Sequence, residues 1–451
     1  MQTPERELTQ ALNETPLSAF HYRALVTAGM GFFTDAYDLF IIGVAIALIR
    51  TQWHLAPWQV GLVGSSALLA SFLGAIGFGH LADRLGRKRI YGLEATIMAL
   101  AALATAFAPN FWWLLAFRFL LGIGIGGDYP VSAVIMSEYA NARDRGKLVG
   151  MVFSMQAADL VAGPLVALGL MGMGLHPELA WRVMLGLGAI PALAVIWLRR
   201  RLPESPRFLA RVKGDAATAV REFRRYAGNE IGVVQGRSAP PVRARLRDYR
   251  GILLGTAGTW FLFDYAYYGN SISTPLIMKL VAPHASLIAG TAWTLAVFSV
   301  AALPGYILAF SKMDQIGHRR LQWIGFVVMG ACFAVLGLVP GMTRAVVPFL
   351  LLYGLSYFFA EFGPNTTTFV LASELFPVNL RATGHGLSAG IAKMGAFIGV
   401  FFFPLVQARL GLAGTLLISA GFAGVGALLT LLLPEPAGKS LEEASGEESV
   451  P

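Results

Sequence analysis

Apolar residues gather along this chain into about twelve long runs: 22–50, 59–80, 90–108, 112–136, 148–171, 182–199, 251–280, 286–310, 321–339, 345–372, 384–407 and 411–433. Each is close to the ~20 residues a helix needs to cross a hydrocarbon core. The stretch 200–250 breaks the pattern. It is rich in Arg, carries Pro203, Pro206, Pro240 and Pro241, and has no spanning run. The pattern therefore predicts an all-α integral membrane protein of twelve transmembrane helices in two six-helix bundles. Residues 1–199 form the first bundle, 200–250 a basic linker, 251–433 the second bundle and 434–451 a tail.

Composition agrees with that reading. Hydrophobic residues make up 56% of the 451, and charged residues only 14%, against about 25% in a soluble protein. The excess apolar surface needs lipid as its solvent. A single cysteine, Cys332, excludes disulfides and thiolate metal sites within one chain, and the seven histidines show no ligand spacing. No metal or cofactor is expected. The net charge of +9 would suit nucleic acid, but its distribution points to the bilayer instead. Arg84, Arg87, Lys88 and Arg89, then Arg143, Arg145 and Lys147, the linker, Lys312, Arg319 and Arg320, and Arg381 all fall on one side. The opposite loops carry few: Arg50 near one end, Arg344 and Arg409. Lys and Arg mark cytoplasmic loops, so the linker and both termini are expected in the cytoplasm of a multi-pass cell-membrane protein. No cleavable signal is apparent in the polar residues 1–22.

The two halves repeat each other. Gly79-His80-Leu81-Ala82-Asp83-Arg84-Leu85-Gly86-Arg87-Lys88-Arg89 follows helix 2, and a weaker copy, Asp314-Gln315-Ile316-Gly317-His318-Arg319-Arg320, follows helix 8. Ser137-Glu138 with Arg145 returns as Ser373-Glu374 with Arg381, and Phe32-Phe33-Thr34-Asp35 parallels Phe261-Leu262-Phe263-Asp264. Repeated halves suit transport, because two similar bundles can rock about a site near the midplane.

The Gly-x-x-x-Asp-Arg-x-Gly-Arg-Lys-Arg loop, its second copy and the 6+6 layout resemble the major facilitator superfamily over nearly the whole chain. Glu138 with Arg145, and Pro203-Glu204-Ser205-Pro206-Arg207, look like its sugar-porter-related branch. Gly31-Phe32-Phe33-Thr34-Asp35-Ala36-Tyr37-Asp38, Gly126-Gly127-Asp128-Tyr129-Pro130 and Phe362-Gly363-Pro364-Asn365-Thr366-Thr367-Thr368-Phe369 resemble the phosphate:proton symporter family. The resemblance implies a phosphate pocket of Tyr129, Gln156, Trp260, Asp264, Tyr268 and Asn365, with Lys393 from helix 11. It also implies roles for the acids Asp35, Asp38 and Asp128 of helices 1 and 4. Glu361 departs from the family, where an amide is more usual. The central linker is far shorter than in fungal members, which points to a prokaryotic inner membrane.

Each charge within a spanning helix costs about 2.5–3.5 kcal/mol on insertion scales, so such residues are functional hypotheses. Seven are read here: Asp35, Asp38, Asp128, Asp159, Asp264, Glu361 and Lys393. Trp260, Asp264 and Tyr268 are spaced four apart and share one helical face. A carboxyl in a poorly hydrated cavity is held partly neutral. Protonated, Asp264 donates to an anion; ionised, it repels one, which couples proton to anion. The alternative is an aromatic packing face with Asp264 at a backbone break. Tyr129, Gln156 and Asn365 offer neutral hydrogen bonds. Gln156 alternatively makes a simple interhelical bond, and Asn365 a cap at the Pro364 kink. Lys393 is read as the only intramembrane cation far from a helix end. It either attracts the anion or pairs with an acid, Glu361 or Asp38 being the structural partners. Asp35 and Asp128 are expected on the proton path, or else in packing bonds, and Asp38 in either job; Asp159 is unassigned. Asp83, Arg84, Arg87, Glu138 and Arg145, with the repeat copies Glu374 and Arg381, are expected to form gate ion pairs, or merely to fix topology. Gly122, Gly124, Gly126 and Gly127 superficially suggest a dinucleotide loop, but no strand precedes them, and close helix packing explains them.

The leading expectation is a proton-coupled importer of inorganic phosphate, working by alternating access as a monomer. Glu361 and the Pro-Glu-Ser-Pro-Arg element keep a sugar or an aromatic carboxylate as alternatives. A non-transporting nutrient sensor is disfavoured by the short acidic tail with Glu442, Glu443, Glu447 and Glu448. No nucleophile–base set favours an enzyme.

Overall fold

The computed structural model describes residues 4–227 and 242–447, and every regular element among them is helical. Pro240, Pro241 and Glu448 lie outside the described residues. The first six long helices are α1 (Ala19–Trp53), α2 (Pro57–Leu85), α3 (Arg87–Ala106), α4 (Phe111–Tyr139), α5 (Arg145–Gly172) and α6 (Pro177–Arg199). After the linker come α7 (Arg250–Ile272, continued by Thr274–Val281), α8 (Leu287–Ile316), α9 (His318–Leu338) and α10 (Val346–Glu374). A last helical stretch, Arg381–Thr430, bends at Gly411, whose φ of 67° is left-handed. It divides there into α11 (381–410) and α12 (412–430).

Among the described residues ten helices are long and apolar enough to span a bilayer, the bent Arg381–Thr430 counting as one. The stretch that falls short is α7. Its shortfall has a cause: Trp260, Asp264, Tyr267, Tyr268 and Asn270 are all buried along it, so it is polar where the others are oily. Local chemistry starts the helices. Pro57 and Pro177 occupy first-turn positions, where their missing N–H costs nothing. The Asn110 side chain accepts from the Trp112 and Trp113 amides at 3.1 and 3.3 Å. Large apolar side chains such as Leu100, Ile190, Val300, Leu351 and Leu428 point outward, as a lipid-facing surface requires.

The halves meet closely where α2 crosses α11. A Cβ on Gly79 would lie 2.4 Å from the Ala382 carbonyl oxygen, and one on Gly386 would lie 2.3 Å from that of Ala75. Only glycine lets the backbones approach so far. Overpacking costs about 1–3 kcal/mol, so Gly386→Val is expected to slow transport roughly 5–100-fold in protein that still elutes as a folded species. An unchanged transport rate would show that this crossing need not close during turnover.

The linker is less solvated than its composition implied. Arg200, Arg201, Arg245 and Arg247 are exposed, but Arg207 is buried. The tail returns to the same face and is also buried at Leu441, Glu442 and Glu447. Glu442 pairs with Arg207. Burial pushes the Glu442 carboxyl up, but the nearby guanidinium outweighs it and holds the pKa below the usual glutamate value.

Candidate functional site

The face of α7 predicted from its spacing is where α4 and α11 converge. Lys393 Nζ lies 2.9 Å from Asp264 Oδ2 and donates to the Tyr268 hydroxyl at 3.1 Å. The Tyr129 and Tyr268 hydroxyls are 3.3 Å apart. The ammonium sits over both rings, 4.5 Å from the Tyr129 centroid and 4.3 Å from that of Tyr268. The Trp260 ring adjoins Tyr129, with centroids 6.1 Å apart. All five side chains are buried. Lys393 is thus neither a free anion attractor nor paired with Glu361 or Asp38; its counter-charge is Asp264.

Gln156 and Asn365 meet in a second cluster. Pro364 and the non-helical Gly363 widen α10 over Glu361–Asn365, and α5 breaks between Ser154 and Gln156. Gln156 donates to the Tyr306 hydroxyl, as does Asn365 at 2.7 Å. Asn365 also donates to Glu361. The Phe153 ring stands between the clusters, 6.5 Å from Tyr129 and 6.4 Å from Tyr306. The seven residues assigned to one pocket therefore divide between two adjoining ones. Tyr306 was not singled out, although it is the lone tyrosine in the run 286–310.

The acids of the first half do not join these clusters. Asp128 pairs with Arg199 at 2.6 Å, and Arg199 also pairs with Glu94. Ser132 donates to Asp128 at 2.5 Å. Asp35 is buried nearby, with neither oxygen hydrogen-bonded among the described residues. Arg118 donates to the backbone oxygen of Asp38 at 3.1 Å and is fully buried. Lys393 is therefore not the only intramembrane cation far from a helix end; Arg118 lies well inside α4. Both oxygens of Asp159 also lack a partner among the described residues. Glu94 and Arg199 were missed because each falls near the edge of an apolar run, where a charge reads as a boundary; Arg118 lies inside the run 112–136 and was overlooked.

On the linker face the two halves are tied by charge. Glu138 Oε1 receives Arg87 at 3.0 Å and Arg381 at 3.2 Å. Arg87 also donates to the Val378 carbonyl at 2.8 Å. Asp83 accepts from the Ala382 and Thr383 amides at 3.2 and 2.7 Å, at the start of α11. Arg145 pairs with Glu374 at 2.8 Å, and Arg381 with Glu447 of the tail at 2.9 Å. Arg84 is the exception: it is exposed and joins no ion pair among the described residues. The glycine-rich stretch of α4 is packing, with a Cβ on Gly122 or Gly126 falling 2.0 or 2.1 Å from carbonyl oxygens of α2.

The opposite face is open. A cavity of about 840 Å³ descends from it to Gly43, Gly64, Ile272 and Val400. The Phe40 ring stacks on Tyr268 at 5.6 Å, and neither ring, nor Lys393 or Asp264, lines the cavity. The two clusters are dominated by donors: an ammonium, an indole, three phenols and two amides, with only Asp264 and Glu361 able to ionise to acceptors. Such a set suits a small oxyanion. Among the described residues no group of three or more His, Cys, Asp or Glu side chains is placed to hold a metal.

Comparison with known proteins agrees with this architecture. Residues 28–400 match the profile of the Major Facilitator Superfamily. The chain is 34% identical to the probable inorganic phosphate transporter 1-6 of Arabidopsis thaliana, over 98% of this chain and 96% of that protein. It is 35% identical to the inorganic phosphate transporter 1-6 of Oryza sativa subsp. japonica, over 98% and 95%. Its fold is similar to that of the proton:xylose symporter XylE bound to 6-bromo-6-deoxy-D-glucose, with a TM-score of 0.78 at 20% identity over 95% and 99% of the two chains. A partially occluded inward open form of the xylose transporter XylE from E. coli matches at 0.72 and 20% identity, over 93% and 99%. With twelve long helices among the described residues, its repeated halves and its phosphate-transporter relatives, the chain belongs to the major facilitator superfamily.

Proposed function

We propose that this protein is a proton-coupled importer of inorganic phosphate that works by alternating access. The observation that carries the reading is the buried Lys393–Asp264 pair among donors, in a chain alike over nearly its full length to proteins named inorganic phosphate transporters. Ionised Asp264 holds the ammonium and repels an anion. A proton on Asp264 releases Lys393 and turns the carboxyl into a donor, so proton and phosphate bind together and leave together. Asp35, Asp38 and Asp128 carry the proton toward the site. The bundles 1–199 and 251–433 then rock, the Glu138 and Glu374 pairs break, and phosphate leaves on the linker face.

That face is cytoplasmic in this reading, because it collects the Lys and Arg loops, and both termini share it. One chain holds both halves of the site, so a monomer suffices. The prokaryotic inner membrane rests on the short linker alone; the relatives cited are plant proteins and give it no support. A second reading, a sugar or small carboxylate, draws on Glu361, which places an acceptor beside Asn365. Uptake of radiolabelled phosphate into proteoliposomes in the presence of excess xylose or benzoate separates the two. Phosphate uptake indifferent to both competitors supports phosphate; strong inhibition by either one moves the assignment to that class.

The Tyr306 hydroxyl receives both Gln156 and Asn365. Tyr306→Phe leaves two buried amide donors without it, at about 1–3 kcal/mol. The KM for phosphate is expected to rise roughly 5–100-fold with protein yield retained. A wild-type KM would remove Tyr306 from the pocket.

A further inference from the structure

The open cavity has a charge pattern of its own. Its walls are largely apolar, but Arg50 and Lys279 line it, with His54 beside them, and among the described residues no aspartate or glutamate does. Arg50 lies in the last turn of α1, and Lys279 in the last turn of the short helix Thr274–Val281. Ser286 and Leu287, at the start of α8, also border it, so the positive end of a long helix dipole faces the same space. Ile272 on the cavity floor is one helical turn beyond Tyr268. Tyr268 in turn accepts from Lys393 at 3.1 Å.

We propose that this cavity is an anion antechamber, in which Arg50 and Lys279 gather a small oxyanion of the phosphate class above the sealed site before it reaches Lys393. The proposal rests on the phosphate reading given above. Cations in a cleft with low-dielectric walls focus the field and raise the local concentration of an oppositely charged substrate, with effects on capture of about 10–1,000-fold. Salt screens exposed charges beyond a Debye length of about 8 Å at physiological ionic strength. The antechamber therefore acts on capture and not on the later transport steps. Each cation also offsets a helix C-terminus, but that role acts on stability and leaves the salt dependence of substrate capture untouched.

The test is radiolabelled inorganic phosphate uptake into proteoliposomes under a fixed proton gradient, across a range of ionic strength. Wild type is compared with the Arg50→Gln/Lys279→Gln double variant, and with Arg245→Gln on the linker face as a control. The double variant is expected to show a KM raised roughly 3–10-fold at low salt, a flattened dependence of KM on salt and a retained maximal rate. The Arg50→Lys/Lys279→Arg variant is expected to keep the wild-type values. A double variant with wild-type KM and salt dependence, or one that loses only maximal rate, overturns the antechamber while the phosphate reading stands. Wild type that takes up no phosphate overturns both.

Discussion

Replacing Asp264 with Asn is expected to lower proton-driven phosphate uptake by at least about 100-fold, equivalent to roughly 2.7 kcal/mol in the rate-limiting barrier. The two side chains are nearly isosteric, so the effect is one of charge. Asp264 is fully buried and supplies the carboxylate 2.9 Å from Lys393. Removing one partner of a buried ion pair costs about 3–5 kcal/mol, because the other charge is stranded. Here the stranded group is the ammonium, and phosphate is the anion available to neutralise it. The variant is therefore expected to bind phosphate and to exchange it across the membrane, yet to gain nothing from a proton gradient. Counterflow of labelled phosphate and gradient-driven uptake, measured on one preparation, read the two properties separately. Gradient-driven accumulation at the wild-type rate would sink the coupling mechanism.

The second large effect is expected at Glu138. One oxygen of this carboxylate receives Arg87 from the first half and Arg381 from the second, and all three side chains are buried. Glu138→Gln leaves Arg87 leaning on Asp83, 3.2 Å away, and Arg381 on Glu447. A loss of about 3 kcal/mol from the closed linker face shifts the equilibrium toward opening there roughly 100-fold. Ser388, buried on α11 and bonded to Thr256 at 2.8 Å, is a suitable reporter. In a Cys332→Ser, Ser388→Cys background, maleimide labelling from the linker face is expected to accelerate when Glu138→Gln is added. Labelling at the parent rate would mean that this network fixes the topology of the loops without holding the gate.

Much of the architecture is written in the apolar runs, since a helix crossing lipid must be oily for about 20 residues whatever it packs against. The run 22–50 corresponds to Ala19–Trp53, and the break near 408–411 to the bend at Gly411. The shared face of Trp260, Asp264 and Tyr268 was legible too, because helical spacing is a local property. Partner choice was not. Lys393 and Asp264 are 129 positions apart, and nothing in the chain pointed to Asp264, in place of Glu361 or Asp38, as its counter-ion. Nor was the division of the pocket legible. It depends on the widened turn at Glu361–Asn365 and on Phe153 standing between the clusters, and both are products of tertiary packing. Arg199 escaped for a simpler reason: a charge at the end of a run looks like the end of a helix.

The most direct test of the central claim is radiolabelled phosphate uptake into proteoliposomes holding the purified protein, with and without an inward proton gradient. The account predicts accumulation that depends on the gradient and collapses on addition of a protonophore. Uptake indifferent to the gradient, or no uptake by protein shown to be folded, would contradict it.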